Sequence, residues 1–404
     1  MIKIKPTIQQ NVLCPYCRNK AASNKVLWQG IHVVVEASCH VCNVELLADL
    51  PIGQAIYTPY LVNKLTGEVF GSVDAMSWFG RPLLDSLRNP DSNHTVEMQV
   101  EKRRQVESVI VLNCIDYLYG HSLLKLLNAD AYRAIDGKKG LVVIVPNFLR
   151  WMVPDYVAEI WTVNIPLSSA QKYFPSLHAA IDEQMTRFKE VSVSLAYSHP
   201  AEFNITNFTG VLPHGLTTDR YRVTFVWRED RVWPSRWMAK LLPAFKLDLF
   251  WQNRNIMCLF RSLKNTFPLA RFTVAGLGKT TRFPEWVEDA RVQSYDADSE
   301  RVACHVYSES RLVIGVHGSN MLLPSAHAWA AIDLMPNERW GNLAQDILYQ
   351  YGDNEAQQIT SWRYRFLPIR ITGKQVALIA KTILLYSKVA IVQFSTNRAN
   401  EEHV

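Results

Sequence analysis

The segment RLVIGVHGSNMLLPSAHAWAAIDLMP, residues 311–336, constrains this chain more than any other. The apolar run 312–316 reads as a strand buried on both faces, as in a parallel sheet. It ends in His317-Gly318-Ser319-Asn320, with a helix expected close behind and a second apolar strand ending at Asp333. In an α/β sheet, ligands bind just past the carboxyl ends of the strands. Gly318 lets backbone come close to a ligand, and free N–H groups at a helix start favour an anion such as a diphosphate. Asp333, one strand later, stands where other nucleotide folds hold ribose hydroxyls.

The rest of the chain repeats this alternation. Strands are predicted at 109–113, 140–146, 158–165, 191–196, 221–227, 272–275 and 362–367. Helices are predicted at 122–132 with Ser122 as N-cap, then at 150–157, 179–189, 253–265, 299–310 behind Asp298, 338–351 and 372–392. Strands alternating with helices at this spacing imply a parallel sheet. At 404 residues, two or three domains are expected. Twelve Trp suit either ring-lined grooves or large cores. The net charge of +6 reads as spread along the chain. The densest basic cluster, Lys102-Arg103-Arg104 beside Glu101 and Glu107, reads as a solvated helix face in an otherwise mixed stretch, 51–107, so no nucleic-acid partner is expected.

Two C-x-x-C pairs mark the amino-terminal region, Cys14 with Cys17 and Cys39 with Cys42. Two such knuckles complete a tetrahedral zinc site, and 26–35 between them reads as a hairpin strand. Four Cys close the coordination shell, so the zinc is structural or serves docking, not catalysis. Cys-Pro-Tyr-Cys is also a redox motif, but that use needs a helix starting on the first Cys, and residues 18–25 are a poor helix. Cys114, Cys258 and Cys304 lie in apolar or helical settings, as in a reducing compartment. The start, MIKIKPTIQQNVL, has no apolar signal core, and no charge-free apolar run reaches membrane-spanning length. A cytoplasmic location is expected, so the sequons at Asn93, Asn204 and Asn207 read as chance matches.

Several polar residues fall at strand ends. Asp116 and His121 follow the first strand of the middle region, where either could act as general base toward an acceptor hydroxyl. The plainer reading of His121 is a group that orients the helix start. Arg228 and Arg231 follow the strand 221–227, and a guanidinium there offers a planar fork to phosphate oxygens. The plainer reading is a salt-bridge cluster with Glu229 and Asp230. Gly276 and Gly278 make a glycine turn at another strand end, suited to a nucleotide. Gly278-Lys279-Thr280 is not a P-loop, because Thr273 stands where the first glycine belongs and Pro284 interrupts any following helix. Asp296-Ala297-Asp298 is formally an Asp-x-Asp metal motif, but Asp298 reads more simply as a helix N-cap.

With these residues in place, VIGVHGSNMLLPSAHAWAAIDLMP resembles the HGAGL-type signature of the glycosyltransferases that include plant xylan-decorating enzymes and the EGF-domain O-GlcNAc transferase. YGHSLLKLL is similar to the N-domain pattern of the same family, in which a His opens a helix. The strand before Arg228 is similar to that of GT-B fucosyltransferases, in which an Arg holds the donor diphosphate. Ser319-Asn320-Met321 stands in place of Ala-Gly-Leu, and Asp333 in place of the usual Glu. The resemblance implies an α/β protein of GT-B fold, two Rossmann-like domains facing a cleft, here with a small N-terminal zinc ribbon. The corresponding division is 1–55 ribbon, 56–215 acceptor domain, 216–372 donor domain, and 373–404 a helix crossing back to the N-terminal domain. It further implies inverting, metal-independent transfer from a UDP- or GDP-sugar to a glycan, lipid-linked or protein acceptor, with peripheral membrane contact left open. Arg228, Arg231, Gly276, Gly278 and the turn from His317 to Asn320 would bind the donor, Asp333 the ribose, and His121 or Asp116 would be the base. The competing reading is a non-catalytic relative that binds a nucleotide sugar or glycan and uses the ribbon as a docking module. A nucleotide-binding oxidoreductase is weaker, since no full G-x-G-x-x-G follows an early strand.

Overall fold

The computed structural model describes residues 1–135, 137–200, 202–214, 221–233, 247–342, 345, 347–348 and 363–401, with side chains only to Ser387 in the last stretch. The chain divides into two compact units, Met1–Phe203 and Asn204–Val404.

The first unit holds two sheets. Strand β1 (Ile2–Lys5) edges one of them, and the chain then builds the other as an antiparallel meander. That meander runs through β2 (Val12–Leu13), β3 (Lys20–Trp28), β4 (Val33–Cys39), β5 (Val44–Asp49), β6 (Leu61–Asn63) and β7 (Val69–Phe70). The single strand expected at 26–35 is the end of β3, a turn, and the start of β4. β-branched residues on both sides of Gly30 hid that turn. The sheet continues to Phe70, past residue 55, and buries Val34, Leu47 and Val62 under α1 (Arg81–Arg88).

The second sheet has the order β1-β12-β9-β10-β11-β8. Its centre is parallel: β9 (Ser108–Asn113), β10 (Lys139–Pro146), β11 (Glu159–Val163) and β12 (Glu190–Val193). β1 and β8 (Met98–Lys102) close the edges antiparallel. The basic cluster therefore ends an edge strand and is not on a helix; Arg103 pairs with Glu101 and reaches the Pro154 carbonyl. Helix α2 (Tyr119–Leu127) starts three residues earlier than expected. Asp116 Oδ1 accepts from the Leu118 N–H, which fixes the chain just ahead of the helix, so Ser122 is inside the first turn and is not its cap. α3 (Pro175–Met185) also starts early, on a proline at its first position. A 3-10 turn, Asn147–Met152, stands where a helix was expected at 150–157.

The second unit opens with the short α4 (Thr206–Thr209). Its sheet has β13 (Arg222–Trp227), β14 (Arg271–Leu277), β15 (Val287–Val292), β16 (Ser310–Val316), β17 (Ala330–Met335) and β18 (Tyr364–Pro368). All are parallel, in the order β15-β14-β13-β16-β17-β18. Numbered within this unit, that is 3-2-1-4-5-6, the Rossmann order, with its switch point between β13 and β16. β13, β16 and β17 are buried at every position, as a parallel sheet covered on both faces requires. The helices are α5 (Leu247–Thr266), α6 (Ala297–Ser308), α7 (Leu322–His327) and α8 (Gly373–Glu401). Asp296, not Asp298, caps α6, through a capping box with Ser299. The first turns of α8 bury Val376, Ala377 and Ala380 in the core of this same sheet. Of the helix expected at 338–351, a 3-10 turn, Asn337–Asn342, is seen; most of the remainder, and Trp362, lie outside the described residues. Trp28, Trp161, Trp227 and Trp233 are fully buried, so these tryptophans are core and line no groove.

Candidate functional site

The carboxyl ends of β13 and β16 meet at the switch point of the second sheet. Arg228 and Arg231 follow β13, and His317, Gly318, Ser319 and Asn320 follow β16. Arg228 Nη1 donates to Asn320 Oδ1 at 2.6 Å, and Arg231 Nη1 donates to the His317 carbonyl at 2.6 Å. Gly318 lies beneath both guanidiniums with φ of 150°; a Cβ there would stand 2.4 Å from Arg228 Nη1 and 3.1 Å from Arg231 Nη1. A side chain there would push the guanidiniums off the turn, and the backbone conformation itself favours glycine. Two cations thus converge on one backbone turn. The helix behind it is only the six residues of α7 after a 3-10 turn, so the positive field comes from the guanidiniums more than from a helix dipole.

Arg228 is also held by Asp230, which accepts from Nε at 2.8 Å and from Nη2. The salt-bridge reading of this cluster is therefore real for Asp230. That carboxylate is 71% exposed while the Arg228 side chain is 16% exposed, and Arg228 draws its pKa below the usual carboxylate value. Glu229 turns the other way. It accepts from Trp227 Nε1 at 3.2 Å, the Thr280 N–H at 3.0 Å and the Thr280 hydroxyl at 2.5 Å.

That contact explains the glycine turn. A Cβ on Gly276 would fall 2.2 Å from the Trp227 carbonyl oxygen, and one on Gly278 would fall 2.4 Å from the Glu229 carboxyl carbon. Both glycines are required by the end of β13. No helix follows them, and a carboxylate sits where a P-loop would cradle phosphate.

Asp333 is placed differently from expectation. It lies mid-strand in β17, beside Gly315 of β16, and the strand runs on to Met335. Its Oδ2 is 2.6 Å from His317 Nδ1, with both side chains 1% exposed. The carboxylate is committed to orienting the His317 ring, so a ribose-holding role does not suit it.

In the first unit, Asp116 and His121 do come together at the end of β9, also at a switch point, between β9 and β12. His121 Nδ1 is 3.3 Å from Asp116 Oδ1. A third member was missed: Lys125 Nζ lies 2.9 Å from Asp116 Oδ2 and donates to the Ile115 carbonyl at 2.9 Å. Its sequence signal was the four-residue spacing from His121 on one helix face. Burial alone would raise the Asp116 pKa, yet Lys125 and then His121 hold it below the usual carboxylate range. Asp116 is thus a fixed anion beside His121, and a poor proton acceptor itself.

The antiparallel sheet abuts this end of the parallel sheet. Asn113 Nδ2 donates to the Gly30 carbonyl at 2.8 Å, and the Gly53 N–H donates to the Leu195 carbonyl at 2.7 Å. At the far end of the same sheet, Cys14, Cys17, Cys39 and Cys42 place their sulfurs within 4.8 Å of one another. Each knuckle closes in the same way. Arg18 N–H donates to the Cys14 carbonyl and Asn43 N–H to the Cys39 carbonyl, with Arg18 and Asn43 in left-handed backbone. N–H groups of Asn19 pull the Cys17 thiol down to about 6, while hydrogen bonding to Cys14, then burial, pushes Cys42 up to about 12. Four sulfurs this close ionise together only around a cation, and the all-thiolate tetrahedral donor set fits zinc.

No family model and no curated protein matches the chain. The solved structures that match it include two of low similarity. The ADP-heptose LPS heptosyltransferase II of E. coli is 11% identical, with a TM-score of 0.39, over 70% of this chain and 99% of that one. A GtfA/B complex is 9% identical, with a TM-score of 0.25, over 93% of this chain and 63% of that one. Neither likeness is strong enough to bear on function.

Proposed function

We propose that this chain is a glycosyltransferase of the GT-B class that uses a nucleotide-sugar donor. The observation that carries the proposal is the convergence of Arg228 and Arg231 on the Gly318 turn, at the switch point of a sheet in Rossmann order. That is where such a sheet takes a ligand, and two guanidiniums there suit a diphosphate. Asp230 holds the Arg228 fork ready. An ion pair with so exposed a carboxylate is worth roughly 1 kcal/mol or less, so a multiply charged diphosphate displaces it.

In the mechanism, the acceptor oxygen attacks the anomeric carbon as the bond to the diphosphate breaks. Arg228, Arg231 and the backbone of Gly318 stabilise the charge that develops on the leaving group. His121, beside Asp116 at the switch point of the first sheet, is our candidate for the group that accepts the acceptor's proton. His317 is braced by Asp333 and supports the donor turn through its backbone carbonyl. The four cysteines would hold a structural zinc, which would tie the two knuckles of the ribbon together. The non-catalytic reading draws on one observation: Arg228 is already paired with Asp230 and Asn320.

A thermal-shift panel of UDP-, GDP-, CMP- and ADP-sugars tests the proposal. Stabilisation by at least one of them is expected, and none at all would sink the transferase reading. Donor hydrolysis or transfer that disappears in Arg228→Ala, with donor binding only weakened, separates catalysis from simple recognition.

A further inference from the structure

The second unit carries a face that the donor site does not use. Helices α5 and α8 pack side by side: Ile256 and Phe260 of α5 share one core with Val376, Ala377 and Ala380 of α8, and the Gly373 N–H meets Asn255 Oδ1 at 3.3 Å. Their other faces form a groove of about 730 Å³ lined by Phe250, Arg254, Arg261, Ser262, Asn265 and Lys374. On α8, Lys374, Leu378, Lys381 and Leu385 recur at helical spacing along one stripe. Leu378, Leu385, Tyr386 and Phe250 are exposed.

The charge is one-sided. Residues 247–266 and 373–388 contain six basic side chains and a single acid, Asp248, against a net charge of +6 for the whole chain. Arg254, Arg261 and Lys374 of these line the groove, and Lys381 stands on the same stripe of α8 as Lys374. Arg254, Arg261, Lys374 and Lys381 form no ion pair among the described residues, whereas Arg222, Arg228 and Arg291 are paired. Arg254 lies over the Trp251 ring at 5.3 Å.

We propose that this face docks on an anionic phospholipid surface. The groove cations meet headgroup phosphates, while Phe250, Leu378, Leu385 and Tyr386 enter the boundary between headgroups and acyl chains. Lysine and arginine stems lie along the apolar surface with their charges at headgroup level. Exposed leucines between the cations favour lipid over nucleic acid, because a phosphate backbone gives a leucine nothing to bury against. Among the described residues no helix is long and apolar enough to cross a membrane, so the contact is with the surface.

Co-sedimentation of the full chain with phosphatidylcholine vesicles, with and without phosphatidylglycerol, tests this. Binding is expected only with phosphatidylglycerol, and it should fall as salt rises. Lys374→Gln and Lys381→Gln should each weaken it about fivefold. Leu378→Ser with Leu385→Ser should weaken it with every charge still present. Equal binding to neutral vesicles, no binding to anionic ones, or indifference to the lysine changes overturns the proposal. So does a DNA duplex that binds as well as the vesicles and ignores the leucine changes, which would make this a general polyanion face. If a variant fails to fold, hydrogen exchange on the wild-type chain decides: vesicle-induced protection should concentrate in α5 and α8, and protection elsewhere contradicts the assignment.

Discussion

Buried charge sets the behaviour of single residues here. Asp116 lies in a setting that would neutralise it, and Lys125, also buried, keeps it ionised. Lys125→Met removes the counter-ion and leaves the carboxylate stranded, which should cost about 3–5 kcal/mol in chemical denaturation. Because the Asp116 pKa is depressed on folding, its stabilisation is present above the ordinary carboxylate pKa and is lost as pH falls through the folded value. A buried histidine adds a second acid-sensitive step. His327 is pushed down to about 4 by burial, with Nδ1 donating to the Leu323 carbonyl and Nε2 accepting from the Thr209 hydroxyl. Between about pH 6.5 and 4 the unfolded chain takes up a proton that the native ring refuses, so stability should fall by about 3 kcal/mol across that window. Thermal melts in steps from pH 7 to pH 4 check this, and a flat profile contradicts it. The strand-end positions of Asp116 and His121 were legible in the sequence. Lys125 was not, because a lysine in an amphipathic helix ordinarily reads as solvent-facing. The same limit hid the His317–Asp333 pair, which depends on register between two strands.

At the scale of elements, the fully buried strands were the legible ones. β10 and β16 are apolar over 140–146 and 312–316, and β13 is apolar apart from Arg222 and Thr224, as the interior of a parallel sheet requires. β15 went unseen for the converse reason: it is an edge strand with exposed Glu288 and Asp289, and it pairs only with β14. Helix starts were shifted by local features, as when Asp116 accepts from the Leu118 N–H just ahead of α2 and Pro175 opens α3. The cap of α6 gives a direct comparison. Asp296→Ala should lower the melting temperature, since it removes the carboxylate that accepts from the Ser299 N–H, whereas Asp298→Ala should leave it nearly unchanged. The reverse order would return the cap to Asp298.

At the scale of the whole molecule, each unit presents charged groups at its own switch point, and neither placement is visible in a linear sequence. Strand order had to be known before Arg228 and His317, far apart in the chain, became neighbours. The ribbon shows the same dependence. Its cysteine spacing was plain, but its seating on the first parallel sheet through Gly30 and Gly53 was not. Metal analysis should therefore find one zinc per chain, and a strong chelator should destabilise the first unit as a whole; loss of zinc without any change in unfolding would make the ribbon an independent appendage. The central claim is that Arg228 and Arg231 over the Gly318 turn form a diphosphate site. Isothermal titration calorimetry of UDP and GDP against the wild-type chain and Arg228→Ala tests it most directly. The account predicts that at least one of the two binds the wild type, and at least about tenfold more weakly to the variant, as expected for losing charge-assisted hydrogen bonds. Binding of neither nucleotide, or equal affinity for the two proteins, would contradict it.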